Sequence, residues 1–97
     1  MGLLKELNRC TTLLEESGYP RIYISIHVAE LPEGVAGRAA EPSTIQINSS
    51  ILEGCEKVLQ HEIAHLYCYK YFPEFIEPHG EEFCKLLSLI KGIEYEL

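Results

Sequence analysis

Apolar residues recur at every third or fourth position through the first segment, at Leu3, Leu4, Leu7, Cys10, Leu13 and Leu14, with Lys5, Glu6, Arg9, Glu15 and Glu16 between them. That spacing predicts an amphipathic helix ending before Gly18. Beyond the Gly18-Tyr19-Pro20 turn the period changes to two. Over residues 21–28, Ile22, Ile24, Ile26 and Val28 share one face, while Tyr23, Ser25 and His27 share the other. This predicts a β-strand in which His27 is partly exposed rather than a ligand. Pro32-Glu33-Gly34 marks a turn. Residues 35–41 predict a second strand, weakened by Gly37 and its alanines and so suited to a sheet edge or a close backbone approach. Pro42-Ser43 leads into a third short strand over 44–48.

Helical spacing then returns. Asn48, Ser49 and Ser50 are N-cap candidates for a helix from about residue 51 to 69 or 71, stopped before Pro73. Its core side gathers Leu52, Cys55, Leu59, Ile63 and Leu66; Glu56, Lys57 and Gln60 face water. Residues 72–78 read as a loop. A last helix spans 79–91, with Phe83, Leu86, Leu87 and Ile90 at i, i+3, i+4 and i+7, and Gly92 closes it. The order is helix, three strands, helix, helix, which predicts an α+β domain with helices on one face of a small sheet. At 97 residues, without repeats, a single domain over 1–97 is expected.

Charge narrows the possible partners. Fifteen acidic residues, all glutamate, stand against eight Lys and Arg, for a net charge of −7. Direct DNA binding is therefore not expected, because phosphate contacts need clustered cations. No apolar run approaches the roughly 20 residues that span a bilayer, so no membrane association is expected. Residues 1–6 lack a signal-peptide core, and Glu6 stands where myristoylation wants Ser or Thr. Cys10, Cys55, Cys68 and Cys84 form no Cys-x-x-Cys pair, so reduced thiols and a cytoplasmic location are expected. Cys10 and Cys84 read as core.

The candidate chemistry lies in the central helix, at His61-Glu62-Ile63-Ala64-His65. His61 and His65 leave the helix about 40° apart, so both imidazoles can grip one Zn²⁺. Glu62, about 60° from His65, is placed to reach water at the metal without ligating it. A catalytic zinc site normally takes three protein ligands, so a third must come from elsewhere. The pattern H-E-x-x-H-x-x-G-x-x-H is excluded, because Cys68 and Tyr71 stand at its last two marked positions. His79, beside Gly80, is the better candidate, with Glu81 and Glu82 as competitors. Cys68, one turn past His65, would close the site as a fourth ligand, although a helical cysteine near a core is more often a small packed hydrophobe. Tyr67, Tyr69 and Tyr71 read as a semi-exposed packing surface.

His61-Glu62-Ile63-Ala64-His65, followed by His79-Gly80-Glu81-Glu82-Phe83-Cys84-Lys85, resembles the SprT-like (Spartan-type) zinc metalloproteases. Gly37-Arg38-Ala39 and Ile45-Gln46-Ile47-Asn48 are similar to the strand pair that precedes the family's zinc helix. The resemblance covers nearly the whole chain. It implies a zincin-like fold and makes the histidine of H-G-x-x-F, here His79, the third zinc ligand. Neither a cysteine-rich ribbon nor a basic segment follows, so a minimal version of the domain is expected. On this reading the chain is a zinc-dependent metalloendopeptidase acting on a protein or peptide. A zinc-activated water attacks the peptide bond, with Glu62 as general base and acid. Tyr69, Tyr71 and Arg38 are candidates for a second oxyanion donor. Residues 35–40 are the expected edge for a substrate strand. The alternative is a catalytically silent zinc-binding domain of the same fold, with a protein-interaction or structural role.

Overall fold

Ile45 and Ile47, fully buried on the third strand, mark the centre of the molecule. Around them a computed structural model describes residues 2–40, 43–51, 53–72 and 79–91. These form α1 (Leu3–Glu16), β1 (Ser25–Ala29), β2 (Gly37–Ala40), β3 (Thr44–Asn48), α2 (Cys55–Tyr71) and α3 (Glu81–Lys91). The fold is α+β, in the expected order. The expected turn at Pro42, the core position of Leu52, the loop over 73–78 and the helix stop at Gly92 lie outside the described residues.

The sheet runs β1-β3-β2. β3 pairs in parallel with β1, Ser25 opposite Thr44, and antiparallel with β2, Gly37 opposite Ile47. A parallel pair needs a crossover. Residues 30–36 supply it by carrying the chain past the position of β3, with Gly34 turning at φ 86°. β2 is accordingly an edge strand, as its small residues suggest. α2 packs on β2 and β3, and α1 and α3 pack on α2 and on each other. Cys10 and Leu14 of α1, Leu59, Ile63 and Leu66 of α2, and Phe83, Leu86 and Ile90 of α3 close the core. Cys84 is half-buried and packs against this core rather than within it.

Several expectations are corrected. The first strand begins at Ser25, not at residue 21, because β3 begins at Thr44 opposite Ser25 and offers residues 21–24 no ladder partner. That segment binds helices instead. The Ile22 amide donates to Tyr67 Oη at 3.2 Å, and the Arg21 guanidinium donates to Asn8, Thr12 and Glu15 of α1. Tyr67 is therefore wholly buried rather than semi-exposed. Val28 is 61% exposed because the helical layer covers β2 and β3 instead of the end of β1.

The central helix starts at Cys55 behind Gly54, whose φ of 78° makes a left-handed cap without a side-chain bond. Asn48 is not its cap. That side chain is buried, donates to Val35 O at 2.7 Å, and accepts from the Ser50 amide and hydroxyl, so it ties the crossover to the end of β3. Gln60, expected in water, is half-buried and donates to Glu6 Oε2 of α1 at 2.7 Å. Arg9 also binds this carboxylate. Chiefly through Arg9's hydrogen bonds, and against some burial, Glu6 is held down to about 2.

Gly37 sets the approach of α2 to the sheet. A Cβ built there would lie 2.6 Å from Val58 Cγ1 and 3.0 Å from Gln46 O. Gly37→Ala is expected to destabilise the fold by about 1–3 kcal/mol, the usual range for an overpacked contact. Adding Val58→Ala should recover part of that loss. Urea unfolding of the two variants checks both outcomes.

Candidate metal centre

His61 and His65 lie one helical turn apart on α2, and His79 immediately precedes Gly80 and α3. Because α3 packs against α2, all three rings meet on one side of the helix. His61 Nε2 lies 3.1 Å from His79 Nε2 and 3.2 Å from His65 Nε2. The three imidazoles form one group whose nitrogens lie within 4.8 Å of one another and could hold a metal ion. A tetrahedral ion with nitrogen ligands at 2.0–2.1 Å spaces them about 3.3–3.4 Å apart, close to what is found. Glu81, Glu82 and Cys68 are outside this group, as is the exposed His27. Glu81 and Glu82 instead face Lys85 on α3, at 3.4 and 4.0 Å.

Phe83 holds the rings together. Its ring centroid lies 4.9, 4.6 and 4.9 Å from those of His61, His65 and His79. Its hydrophobic spacing assigns this residue to the core. Its second role follows from standing four residues, about one helical turn, after His79. Nδ1 of His65 is buried without a hydrogen bond to any described residue, so packing against Phe83 and the stacked Tyr69 ring, 5.9 Å away, orients that imidazole.

Burial sets the protonation of the site. It is the largest cause pushing His65 down to about 4, and the facing His61 and His79 add to it. Burial also lowers His61, followed by His79 and Lys91. Both rings are therefore neutral at pH 7 and offer lone pairs, the form a metal requires. Glu62 is buried beside them and raised by that burial. Cys68 is pushed up to about 11, first by burial and then by Glu82 and Cys84. A protonated thiol is a poor ligand.

The oxyanion candidates are placed differently. Tyr69 stacks on His65 and is 42% exposed. The Tyr71 hydroxyl donates to Pro20 O, and Arg38 Nε donates to Gln46 Oε1, so both are engaged by structural partners.

A small mixed sheet thus lies under a helix whose two histidines meet a third from just before the next helix, a set that could hold a metal ion as in a metalloprotease-type domain. The chain belongs to the SprT-like family, whose model matches residues 5–97. Comparison with curated proteins and with solved structures found no match. No helix among the described residues is long and apolar enough to cross a membrane.

The lowered histidines predict a pH dependence for the metal-free protein. Unfolded, they bind protons near pH 6.5; folded, His65 does so only near 4. Their contribution to stability is thus constant above about pH 6.5 and is lost as pH falls from there toward 4. Glu62, raised by burial, acts in the opposite sense. Urea unfolding of wild type against His65→Gln, from pH 7.5 to 4.5, isolates the histidine. Wild type is expected to lose roughly 2 kcal/mol more than the variant over that range.

Proposed function

We propose that this chain is a zinc-dependent endopeptidase whose metal is held by His61, His65 and His79, with Glu62 as its general base and acid. One observation carries the reading. Three imidazoles converge on a point beside the buried Glu62 carboxylate of α2, where a cleft opens at the start of the edge strand β2. Three nitrogen donors suit zinc, which leaves a position open in its catalytic sites. When bound, zinc supplies Lewis acidity that polarises a carbonyl and makes water easier to deprotonate.

The chain's own residues do the rest. His61 and His65 present lone pairs because burial and the neighbouring imidazoles keep protons off them, and His79 brings the third ring nitrogen to the same point. A Glu62 carboxylate oxygen accepts a proton from the attacking water and delivers it to the amine nitrogen released from the peptide. Its raised proton affinity suits both halves of that task. Glu62 stands outside the nitrogen cluster, which supports a role on water rather than on metal.

The substrate is inferred to lie along β2. The outer edge of this strand has no partner among the described residues, and a cleft of about 500 Å³ between residues 34–37, which lead into β2, and α2 reaches His61 and Glu62. An extended peptide can add its backbone hydrogen bonds to such an edge. Tyr69, exposed and stacked on His65, is the candidate placed to donate to the oxyanion. A closed structural site with a thiolate is disfavoured by the position of Cys68, outside the histidine cluster.

Metal analysis and a protein-cleavage assay test this reading together. Wild type is expected to bind about one zinc per chain. His61→Ala and His79→Ala should each lose it. Glu62→Gln should keep the metal while cleavage falls by a factor of about 10² to 10⁴, as for loss of a general base. Cleavage that survives Glu62→Gln, or a wild type that binds no zinc, overturns the assignment.

A further inference from the structure

We infer that Lys57 makes the cleft selective for peptides carrying an acidic side chain about two residues from the bond that is cut. The inference rests on the reading of the cleft as the substrate site and assigns its specificity. Lys57 lies on α2 one turn before His61 and lines the cleft with Val35, Gly37 and Val58. Its side chain is exposed, and its ammonium has no ion-pair or hydrogen-bond partner among the described residues. Other cations are engaged: Arg9 with Glu6, Arg21 with Glu15, Lys85 with Glu81. Among the described residues Lys57 is the one Lys or Arg lining this cleft, in a chain that carries fifteen glutamates.

The spacing follows from geometry. One helical turn places Lys57 about 6 Å along the axis from His61. A bound strand advances about 3.3 Å per residue, so the side chain opposite Lys57 belongs to a residue about two positions from the one at His61. Alternation along the strand turns that side chain to the same face. Gly37 and Val58 form an apolar, small-residue wall for the methylenes of a substrate glutamate, and Lys57 meets its carboxylate at the exposed rim.

The test measures binding and cleavage separately. Fluorescein-labelled alanine-rich decapeptides with one central Glu or Gln are titrated against the full-length, zinc-loaded Glu62→Gln variant by fluorescence anisotropy. The Glu peptide is expected to bind about three- to fivefold more tightly at low salt, the scale of one exposed ion pair. The difference should shrink at 0.5 M salt, on the order of a 4 Å screening length. Adding Lys57→Met should abolish it, and Lys57→Glu should reverse it in favour of a Lys peptide, with circular dichroism confirming that both remain folded. Equal binding of the Glu and Gln peptides, no binding of either, or a preference unchanged by Lys57→Glu overturns the proposal. Wild-type cleavage sites in a mixed peptide pool are scored in parallel. Cleavage without acidic enrichment near the cut also overturns it. Acidic-selective binding without any cleavage upholds the role of Lys57 and refutes the peptidase reading.

Discussion

The structure depends on the burial of α2 among the sheet, α1 and α3. A helix so enclosed cannot carry polar side chains freely, because an unpartnered buried polar group costs on the order of 1–3 kcal/mol. Its polar groups are accordingly engaged or gathered. Gln60 reaches Glu6 on α1, and Tyr67 accepts the Ile22 amide. His61 and His65 face each other and His79. Each link fixes the helix in rotation and along its axis, so the positions of His61, Glu62 and His65 are set by contacts on every side of them.

The same enclosure creates the chemistry. Burial holds His61 and His65 neutral, the form that metal binding requires, and raises the proton affinity of Glu62 beside them. It also leaves a tension. His61 Nε2, 3.1 Å from His79 Nε2 and 3.2 Å from His65 Nε2, cannot satisfy both by hydrogen bonding, since one ring nitrogen makes one such bond. A cation at the centre resolves that conflict for all three at once. In a domain of this size it would also tie the start of α3 to α2, adding stability to a small core.

Much of this was legible in the pattern of residues. Period-two and period-3.6 spacing located every element, and the i, i+4 histidines predicted their shared face. What escaped was set by neighbours distant in sequence. The first strand looked longer than it is because alternation at Ile22 and Ile24 reports a buried face, not a ladder partner. Gln60 and Tyr67 looked exposed because helical phase alone does not reveal that α1 and residues 21–22 cover those sides. Asn48 looked like a helix cap, yet the chain needed its amide to fasten the crossover at Val35. Phe83 fitted the core stripe of α3 and closed the H-G-x-x-F pattern, but neither spacing revealed its contact with three imidazoles.

The weakness of β2 proved the most informative local irregularity. Gly and Ala lower strand propensity, and nothing in β2 itself makes it a good strand. Its small residues serve the neighbouring helix instead: the absent Cβ of Gly37 lets Val58 and Glu62 come close to the backbone, which draws the carboxylate over the sheet edge. A larger residue would push α2 outward and fill the cleft in the same stroke. The close approach of the helix and the open space at the edge thus have one cause. The strand gives up intrinsic stability at the place where a bound peptide could restore it, by pairing with the outer edge of β2, which has no partner among the described residues.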